Sequence, residues 1–600
     1  MTKFIKKGVD LMKGKILLLV SIIMILVGGV IANLVQNDFC KVKVRDVRFA
    51  GTGGMIMSGL LFIPKNATPK TPAPGILAIH GYINSRETQS GFAIEFARRG
   101  WVVLELDQSG HGYSDPPVGA NAYGAFDGLA YLRTLDFVDK SRIGLEGHSM
   151  GGWASVIAAK VRPNDYRAMV LEGSSTKTKY SEKYIPVPGT TTFPKNLALV
   201  FSTYDEFSML MWEVLKARDV VNSDALKKVF GVNEAIVPGK IYGSIEKGTA
   251  RVLYQPKTTH PGDHLSQAAI GYAIEWFQKT LGGEQTLAPD KQIWYWKEIG
   301  TLIALIGAIL LMFAAGDLML KTGYFSSLKK SPQNPKPAGG AGWWISAVLV
   351  FLIPTVTYFP LTVLVADKWN ASWLFPQKVT NNLVFWLVVN AVLSLIFFSV
   401  WHLASNKKKG GNGISYGLKT SSGLEWKKIG LSAWFALLVV ATAYLADIAS
   451  AFFFKTDFRL WVMALKPLSL TQFKIALRYI IPLALYYLMF TVVLQGQMRS
   501  PNASFKKRMI VSAVLGAGGY LLLLLLLYVP LLIIGMVPIH PKMTLYVIVA
   551  IQLLPLFIIV SLISTYFYEK TGQVYAGAFI NAMFIVWYIV AGQVTSFPLL

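Results

Sequence analysis

Long apolar runs occupy both ends of the chain, and a stretch of short mixed segments separates them. Residues 16–35 form a near-continuous apolar run, long enough to cross a bilayer core. From about residue 294 onward, eight more runs of this length predict an all-α polytopic transmembrane bundle. These eight predicted spans lie at about 298–320, 342–366, 381–403, 429–454, 473–496, 509–536, 544–567 and 574–597.

Between the apolar ends, short apolar strands alternate with helical patterns and glycine-rich turns. Strands that are apolar without alternation are typical of a mostly parallel sheet covered on both faces, so this stretch predicts an α/β domain. The predicted strands are residues 44–49, 56–63, 75–79, 102–106, 143–146, 168–171 and 197–201, with one more near 251–254. The predicted helices are residues 91–99, 123–134, 152–161 and 265–281.

The pattern divides the chain into three parts. Residues 1–39 form an N-terminal transmembrane anchor, residues 40–287 the α/β domain, and residues 288–600 an eight-helix transmembrane domain. Within the α/β domain, residues 206–244 read as helical and lie between two late strands, so they are a candidate lid.

Composition and charge support a membrane protein. The chain is 53% hydrophobic with a mean hydropathy of +0.45, which is too apolar for an ordinary soluble enzyme. The net charge of +25 comes from lysines and arginines at the ends of apolar runs rather than in one basic stripe, so we expect membrane lipids and no nucleic acid as partners. One cysteine, Cys40, excludes a disulfide framework within the chain and a cysteine-rich metal site, and we expect no metal or other cofactor. Nothing in the sequence indicates an oligomeric state.

The distribution of positive charge predicts an orientation. The N-terminus and one set of loops carry 20 lysines and arginines, against 6 in the loops of the other side. The positive-inside rule therefore puts the N-terminus in the cytoplasm and the α/β domain on the extracytoplasmic side of the cell membrane. The first apolar run is longer than a usual signal-peptide core, which favours an uncleaved anchor over a signal peptide cleaved near Val30-Ile-Ala32.

Candidate catalytic residues follow the predicted strands. The strand before Gly147 runs into G-x-S-x-G with Ser149 at its apex, a turn that presents a serine nucleophile and directs the Met150 amide at a developing oxyanion. The loop that begins at His80 would supply a second oxyanion amide, that of Tyr82.

Asp205 follows a late strand, where a carboxylate would orient an imidazole, and Glu206 is the alternative acid. His264 directly precedes the last helix and is the first candidate for the general base, with His260 as the alternative. The chain order Ser, Asp, His is that of the α/β-hydrolase triad.

These motifs resemble a known family. Residues 41–285 are similar to the α/β-hydrolase fold, and in particular to the dienelactone-hydrolase and prolyl-oligopeptidase-like serine hydrolases. The resemblance is carried by the run from His80 to Arg86, the loop from Asp107 to Gly112 and the run from Gly147 to Gly152. It implies Ser149 as nucleophile, Asp205 as orienting acid and a histidine as base.

The leading hypothesis is a membrane-anchored serine hydrolase that cleaves an ester, thioester or short-peptide acyl bond of a small-molecule, lipid or peptide substrate. An acyltransferase that passes the acyl group to a lipid or cell-wall alcohol is the first alternative. A transporter or sensor with a catalytically silent hydrolase-like domain is the second.

Within the predicted transmembrane bundle, Asp447 and Arg478 lie at matching depths and are predicted to pair.

Overall fold

A mostly parallel eight-stranded sheet forms the middle of the protein, in a computed structural model that describes residues 2–283, 287–333, 340–500 and 502–597. Helix α1 (Thr2–Gln36) precedes the sheet. The strands are β1 (Val42–Ala50), β2 (Ile56–Pro64), β3 (Ala73–Ile79), β4 (Val102–Asp107), β5 (Val138–His148), β6 (Ala168–Glu172), β7 (Leu197–Val200) and β8 (Arg251–Tyr254). Their order across the sheet is β1-β2-β4-β3-β5-β6-β7-β8, and β2 alone runs against the others.

Helices cover both faces of this sheet. Because the central strands are buried on both sides, they read as continuous apolar runs, and all eight predicted strands are present. The topology is that of the α/β-hydrolase fold, which confirms the predicted fold class. The helices of this domain are α2 (Ser90–Arg98), α3 (Ala120–Tyr123), α4 (Ala125–Thr134), α5 (Met150–Val161), α6 (Ser208–Trp212), α7 (Asp224–Phe230) and α8 (Gln267–Leu281).

The segment at 206–244 is less helical than predicted. Only α6, α7 and a 3₁₀ turn at Ala217–Asn222 are helical, and residues 231–244 contain no helix. Glycines at 231, 239 and 243 adopt positive φ angles, a conformation that ends helices.

Eight long helices follow the sheet and form, with α1, what we call the helical domain. They are α9 (Tyr295–Met319), α10 (Ala341–Lys368), α11 (Lys378–Trp401), α12 (Trp426–Phe454), α13 (Leu470–Thr491), α14 (Phe505–Ile534), α15 (Thr544–Thr571) and α16 (Tyr575–Gly592). A short hairpin, β9 (Phe458–Leu460) and β10 (Met463–Leu465), joins α12 to α13. In the described part of the chain, nine helices are long and apolar enough to cross a membrane, which fits a multi-pass membrane protein.

Two packing features were not evident from the sequence. Helix α16 lies at the centre of the helical domain, with most of its residues buried. Helix α1 packs along α9, where Gly28 and Gly300 let the two backbones approach: a Cβ at Gly28 would lie 2.4 Å from the Gly300 carbonyl oxygen.

The predicted pairing of Asp447 with Arg478 is wrong. The Arg478 guanidinium donates to the Trp373 carbonyl and lies over the Trp373 ring, at 5.6 Å from its centroid. Asp447 is fully buried in α12, nearer to Asp457 and Lys466. Matching depth along two spans does not fix which faces of the helices meet, and this is why the prediction failed.

Candidate active site

Ser149 occupies a strained turn between β5 and α5. Its backbone has φ 54° and ψ −119°, a region that non-glycine residues rarely adopt. The turn is held by the Ser149 N–H, which donates to the Glu172 carbonyl at 2.8 Å, and by the glycine at position 151, where a Cβ would lie 2.0 Å from the Ile79 carbonyl oxygen. The geometry is that of a nucleophile elbow, and it leaves the Ser149 side chain half-buried at the carboxyl edge of the sheet.

Asp205 pairs with His260. The Asp205 Oδ2 atom lies 2.8 Å from Nδ1 of His260, and Asp205 Oδ1 accepts from the Phe207 N–H at 2.7 Å. An acid on Nδ1 leaves Nε2 of the imidazole available to take a proton. The structure therefore favours His260, the alternative in the sequence analysis, over His264 as the candidate base.

His264 packs against His148 and Phe92 and makes no hydrogen bond to Asp205. A 3₁₀ turn at Pro261–Leu265 carries it inward, where its ring centroid lies 4.2 Å from that of His148 and 6.5 Å from that of Phe92. Among the described residues, neither of its ring nitrogens has a hydrogen-bond partner. The sequence analysis favoured His264 because it directly precedes the last helix. In the structure, the 3₁₀ turn directs the His264 ring to His148, and Asp205 pairs with His260 instead.

A shift in the strand pairing beyond β7 and β8 brings His260 to Asp205. Strands β7 and β8 pair in parallel from Leu197 with Arg251 to Val200 with Tyr254. The pairing resumes beyond the strand ends as a bridge between Tyr204 and Thr259. This bridge is shifted by one residue, because the β7–β8 register would pair Tyr204 with Thr258 and place Asp205 opposite Thr259. The shift brings Asp205 and His260 side by side, and no pattern in the sequence indicated it.

Two contacts hold the His260 loop against the elbow. His148 Nε2 lies 2.9 Å from the His260 carbonyl oxygen, and the two imidazole centroids are 4.6 Å apart. On the other side, Gly173 lies directly under the His260 ring, and a Cβ there would be 2.7 Å from Nδ1. Gly173 follows the residue whose carbonyl accepts from Ser149, so His260 and Ser149 flank the same strand end.

The candidate oxyanion amides border Ser149. Met150 opens α5, so its N–H belongs to the first helical turn, whose amides have no acceptor within the helix. The loop after β3 passes close to Ser149, since a Cβ at Gly81 would lie 3.2 Å from Ser149 Cβ. Tyr82 follows Gly81 in that loop. His80 braces the loop by accepting from the Gln108 N–H at 3.1 Å.

Burial sets the protonation of the site. It lowers the pKa of His260 to about 3, so the imidazole is neutral at pH 7. Burial, with a further contribution from the Asp205 charge, raises the pKa of Glu206 to about 8.

Among the described residues, no group of three or more His, Cys, Asp or Glu side chains has the arrangement of a metal site.

Glu206 links the site to the helical domain. Its Oε2 atom accepts from the His260 N–H at 2.8 Å, and its Oε1 atom accepts from the Tyr528 hydroxyl of α14 at 2.9 Å. From the β9–β10 hairpin, Trp461 Nε1 donates to the Pro261 carbonyl at 2.7 Å. The backbone around the candidate base is thus held from two elements of the helical domain.

Comparisons with known proteins match the sheet domain. A family model described as serine aminopeptidase, S33, matches residues 70–208. Human dipeptidyl peptidase 8 is 28% identical over 166 residues, covering 23% of this chain and 18% of that protein. A 2-hydroxy-6-oxononadienedioate/2-hydroxy-6-oxononatrienedioate hydrolase of Cupriavidus pinatubonensis is 35% identical over 89 residues, covering 15% of this chain and 30% of that protein. The chain thus spans less than a third of these curated relatives.

Similar solved structures include a bacterial heroin esterase, which is 18% identical with a TM-score of 0.31 and covers 43% of this chain and 89% of that one. The dienelactone hydrolase of Anabaena variabilis is 20% identical with a TM-score of 0.28, covering 40% of this chain and 99% of that one. Together with the strand order and the elbow, the family match identifies the sheet domain as an α/β hydrolase of the serine-hydrolase type.

Proposed function

We propose that the protein is a membrane-anchored serine hydrolase that cleaves an acyl bond on the extracytoplasmic side through Ser149, His260 and Asp205. The observation that carries this proposal is the hydrogen bond between His260 Nδ1 and the Asp205 carboxylate, beside a strained serine elbow. The excess of positive charge in the N-terminus and the loops of one side supports the orientation.

The chemistry follows from the roles of these three groups. Ser149 Oγ attacks the acyl carbonyl carbon while His260 Nε2 takes its proton, and the amides of Met150 and Tyr82 stabilise the oxyanion. The bond to the leaving group then breaks, and His260 returns the proton to that group. Water attacks the acyl-enzyme by the same route, so that the products are a carboxylic acid and the protonated leaving group.

The direct test is covalent labelling of intact cells with a membrane-impermeant fluorophosphonate, which reacts with activated serines. We expect the wild-type chain to be labelled, and Ser149→Ala to lose labelling while the protein remains at the same level. Labelling only after the cells are opened would overturn the orientation. Absence of labelling in opened cells would overturn the enzymatic assignment.

A second measurement tests hydrolysis against acyl transfer. The purified full-length chain is given an acyl ester with and without an added long-chain alcohol, and the products are separated. We expect free carboxylic acid as the product in both cases. Formation of the ester of the added alcohol would show that the protein is an acyltransferase rather than a hydrolase.

A further inference from the structure

The catalytic edge of the sheet faces the helical domain rather than open water. The loop after β3 places Tyr82 and Ile83 against the apolar core of the helical domain. The loop after β4 bonds to the segment beyond α16, where the Thr595 N–H donates to the Gly110 carbonyl at 2.8 Å. With Glu206 on Tyr528 and Pro261 on Trp461, the loops after four strands contact the helical domain.

These contacts lie at the ends of the apolar helices. Gln472, in the first turn of α13, donates to the Gly112 carbonyl at 3.2 Å. Thr595 lies just beyond the end of α16, and Tyr528 lies six residues, or ~9 Å, before the end of α14. The candidate site is therefore at the depth where hydrocarbon gives way to headgroups, which is also where the ester groups of lipids lie.

An apolar surface connects the helical domain to the nucleophile. Tyr82 and Val118 each pack against the core of the helical domain and against the core of the sheet domain that contains Met150 and Trp153. Phe207 adds a further apolar wall, with its ring centroid 4.5 Å from that of His260. These side chains make the boundary between the helical domain and the Ser149 turn apolar, which suits an acyl chain.

A peptide substrate fits the surroundings less well. Recognition of a free amino terminus requires an unengaged carboxylate at the site. Two carboxylates contact the candidate base, and both are engaged. Asp205 bonds to the His260 ring and to the Phe207 N–H, and Glu206 accepts from the His260 N–H and the Tyr528 hydroxyl.

We propose that the substrate is a membrane-resident amphiphile carrying an acyl ester, which reaches Ser149 laterally from the leaflet next to the sheet domain. This inference rests on the proposed function, since it names the substrate class of the same triad. The bond between the acyl carbon and the ester oxygen is cleaved as described above. Of the released acid and alcohol, a product with a long apolar chain stays in the bilayer, and one with a short chain enters the water.

The test compares two esters with the same leaving group, 4-methylumbelliferyl palmitate and 4-methylumbelliferyl butyrate, on the full-length chain in lipid nanodiscs. Palmitate resides in the bilayer, whereas butyrate reaches the site from water. We expect kcat/KM to be about tenfold higher for palmitate. Equal values or a preference for butyrate would overturn the inference.

A variant tests the route. Val118→Asp places a charge on the connecting surface and is expected to lower the palmitate rate about tenfold more than the butyrate rate. Val118→Ser is the milder variant should Asp prevent folding, and the exposed Val161→Asp on α5 is the matched control, with both rates unchanged. An equal loss of both rates in the Val118 variants would overturn the lateral route.

Fluorophosphonate labelling separates the two proposals. Labelled protein that cleaves butyrate but not palmitate contradicts the substrate class and leaves the serine hydrolase intact. Protein that is unlabelled and cleaves neither ester contradicts the proposed function itself.

Discussion

At the scale of single residues, the pairing of Asp205 with His260 distinguishes two nearby histidines. His260→Ala removes the proposed base and is expected to lower kcat/KM by about 10⁴-fold or more. His264→Phe keeps a ring against His148 and removes two unpaired buried nitrogens, so we expect activity within about threefold of wild type. Ester hydrolysis and the rate of fluorophosphonate labelling measure both. A larger loss of activity in His264→Phe than in His260→Ala would identify His264 as the base.

The sequence was sufficient to place Ser149 in a tight turn and Asp205 after a late strand, but not to choose the histidine that Asp205 contacts. Ser149 lies in a local motif whose glycines are required by backbone contacts, so its position follows from neighbouring residues. The Asp205–His260 contact joins two loops, and it depends on a one-residue shift in the pairing beyond β7 and β8. Glu206 could not be assigned its place from the sequence, since one of its partners is on α14.

The buried Glu206 carboxyl should also make stability depend on pH. Its pKa is raised to about 8 in the folded protein from an ordinary value of 4.5, because of burial and the Asp205 charge, so folding takes up a proton between these pH values. The contribution to stability is full below pH 4.5 and is lost as the pH rises toward 8, with a slope of at most ~1.4 kcal/mol per pH unit.

Glu206→Gln has no such group, so we expect its Tm to fall less than that of wild type between pH 5 and pH 8. Thermal unfolding of the full-length chain in detergent measures this, with the exposed Glu234→Gln as control. Parallel pH dependence of Tm in wild type and Glu206→Gln would contradict the burial of an ionising carboxyl.

At the scale of elements, α14 contributes to the site through one hydroxyl. Tyr528→Phe leaves Glu206 Oε1 without its donor while keeping the ring, and the loss of a buried hydrogen bond costs ~1–3 kcal/mol. Because the other oxygen of Glu206 holds the His260 backbone, we expect kcat/KM for ester hydrolysis to fall about three- to tenfold, with a shifted pH–rate profile.

The matched control is Tyr358→Phe in α10. The Tyr358 hydroxyl donates to the Tyr546 carbonyl at 2.9 Å, inside the helical domain, so its loss should lower Tm without changing the pH–rate profile. Identical profiles for the two variants would mean that Tyr528 only stabilises the fold.

The elements themselves were largely predictable because their patterns are long. In the described part of the chain, each predicted span is one long helix and each predicted strand is present, with β1 largely exposed at the edge of the sheet. The 206–244 segment was misread because its helical periodicity is interrupted by glycines with positive φ. Helix α16 is as apolar as its neighbours in the sequence, so its central position depends on packing that periodicity does not encode.

At the scale of the whole molecule, buried charges fasten the sheet domain to the helical domain. Glu87 lies 2.9 Å from Lys466, 3.3 Å from Arg86 and 3.5 Å from Arg459, and all four side chains are nearly inaccessible. Burial alone would raise the pKa of Glu87, but the charges of Lys466, Arg86 and Arg459 hold it well below its usual value. The sequence did not indicate this cluster, because its members come from separate parts of the chain and follow no common pattern.

This cluster predicts that removing the Glu87 charge destabilises the fold more than removing the Lys466 charge. Glu87→Gln leaves Lys466 buried without a carboxylate, which costs ~3–5 kcal/mol. Lys466→Met is expected to cost less, because Glu87 keeps Arg86 and Arg459. The double variant should be more stable than Glu87→Gln alone, since the unpaired cation is gone. Thermal unfolding of the full-length chain measures the stability of all three variants. We also expect ester hydrolysis to fall as Tm falls, because Trp461 and Tyr528 contact the candidate site across the same interface. Additive losses in the double variant would show that Glu87 and Lys466 act independently.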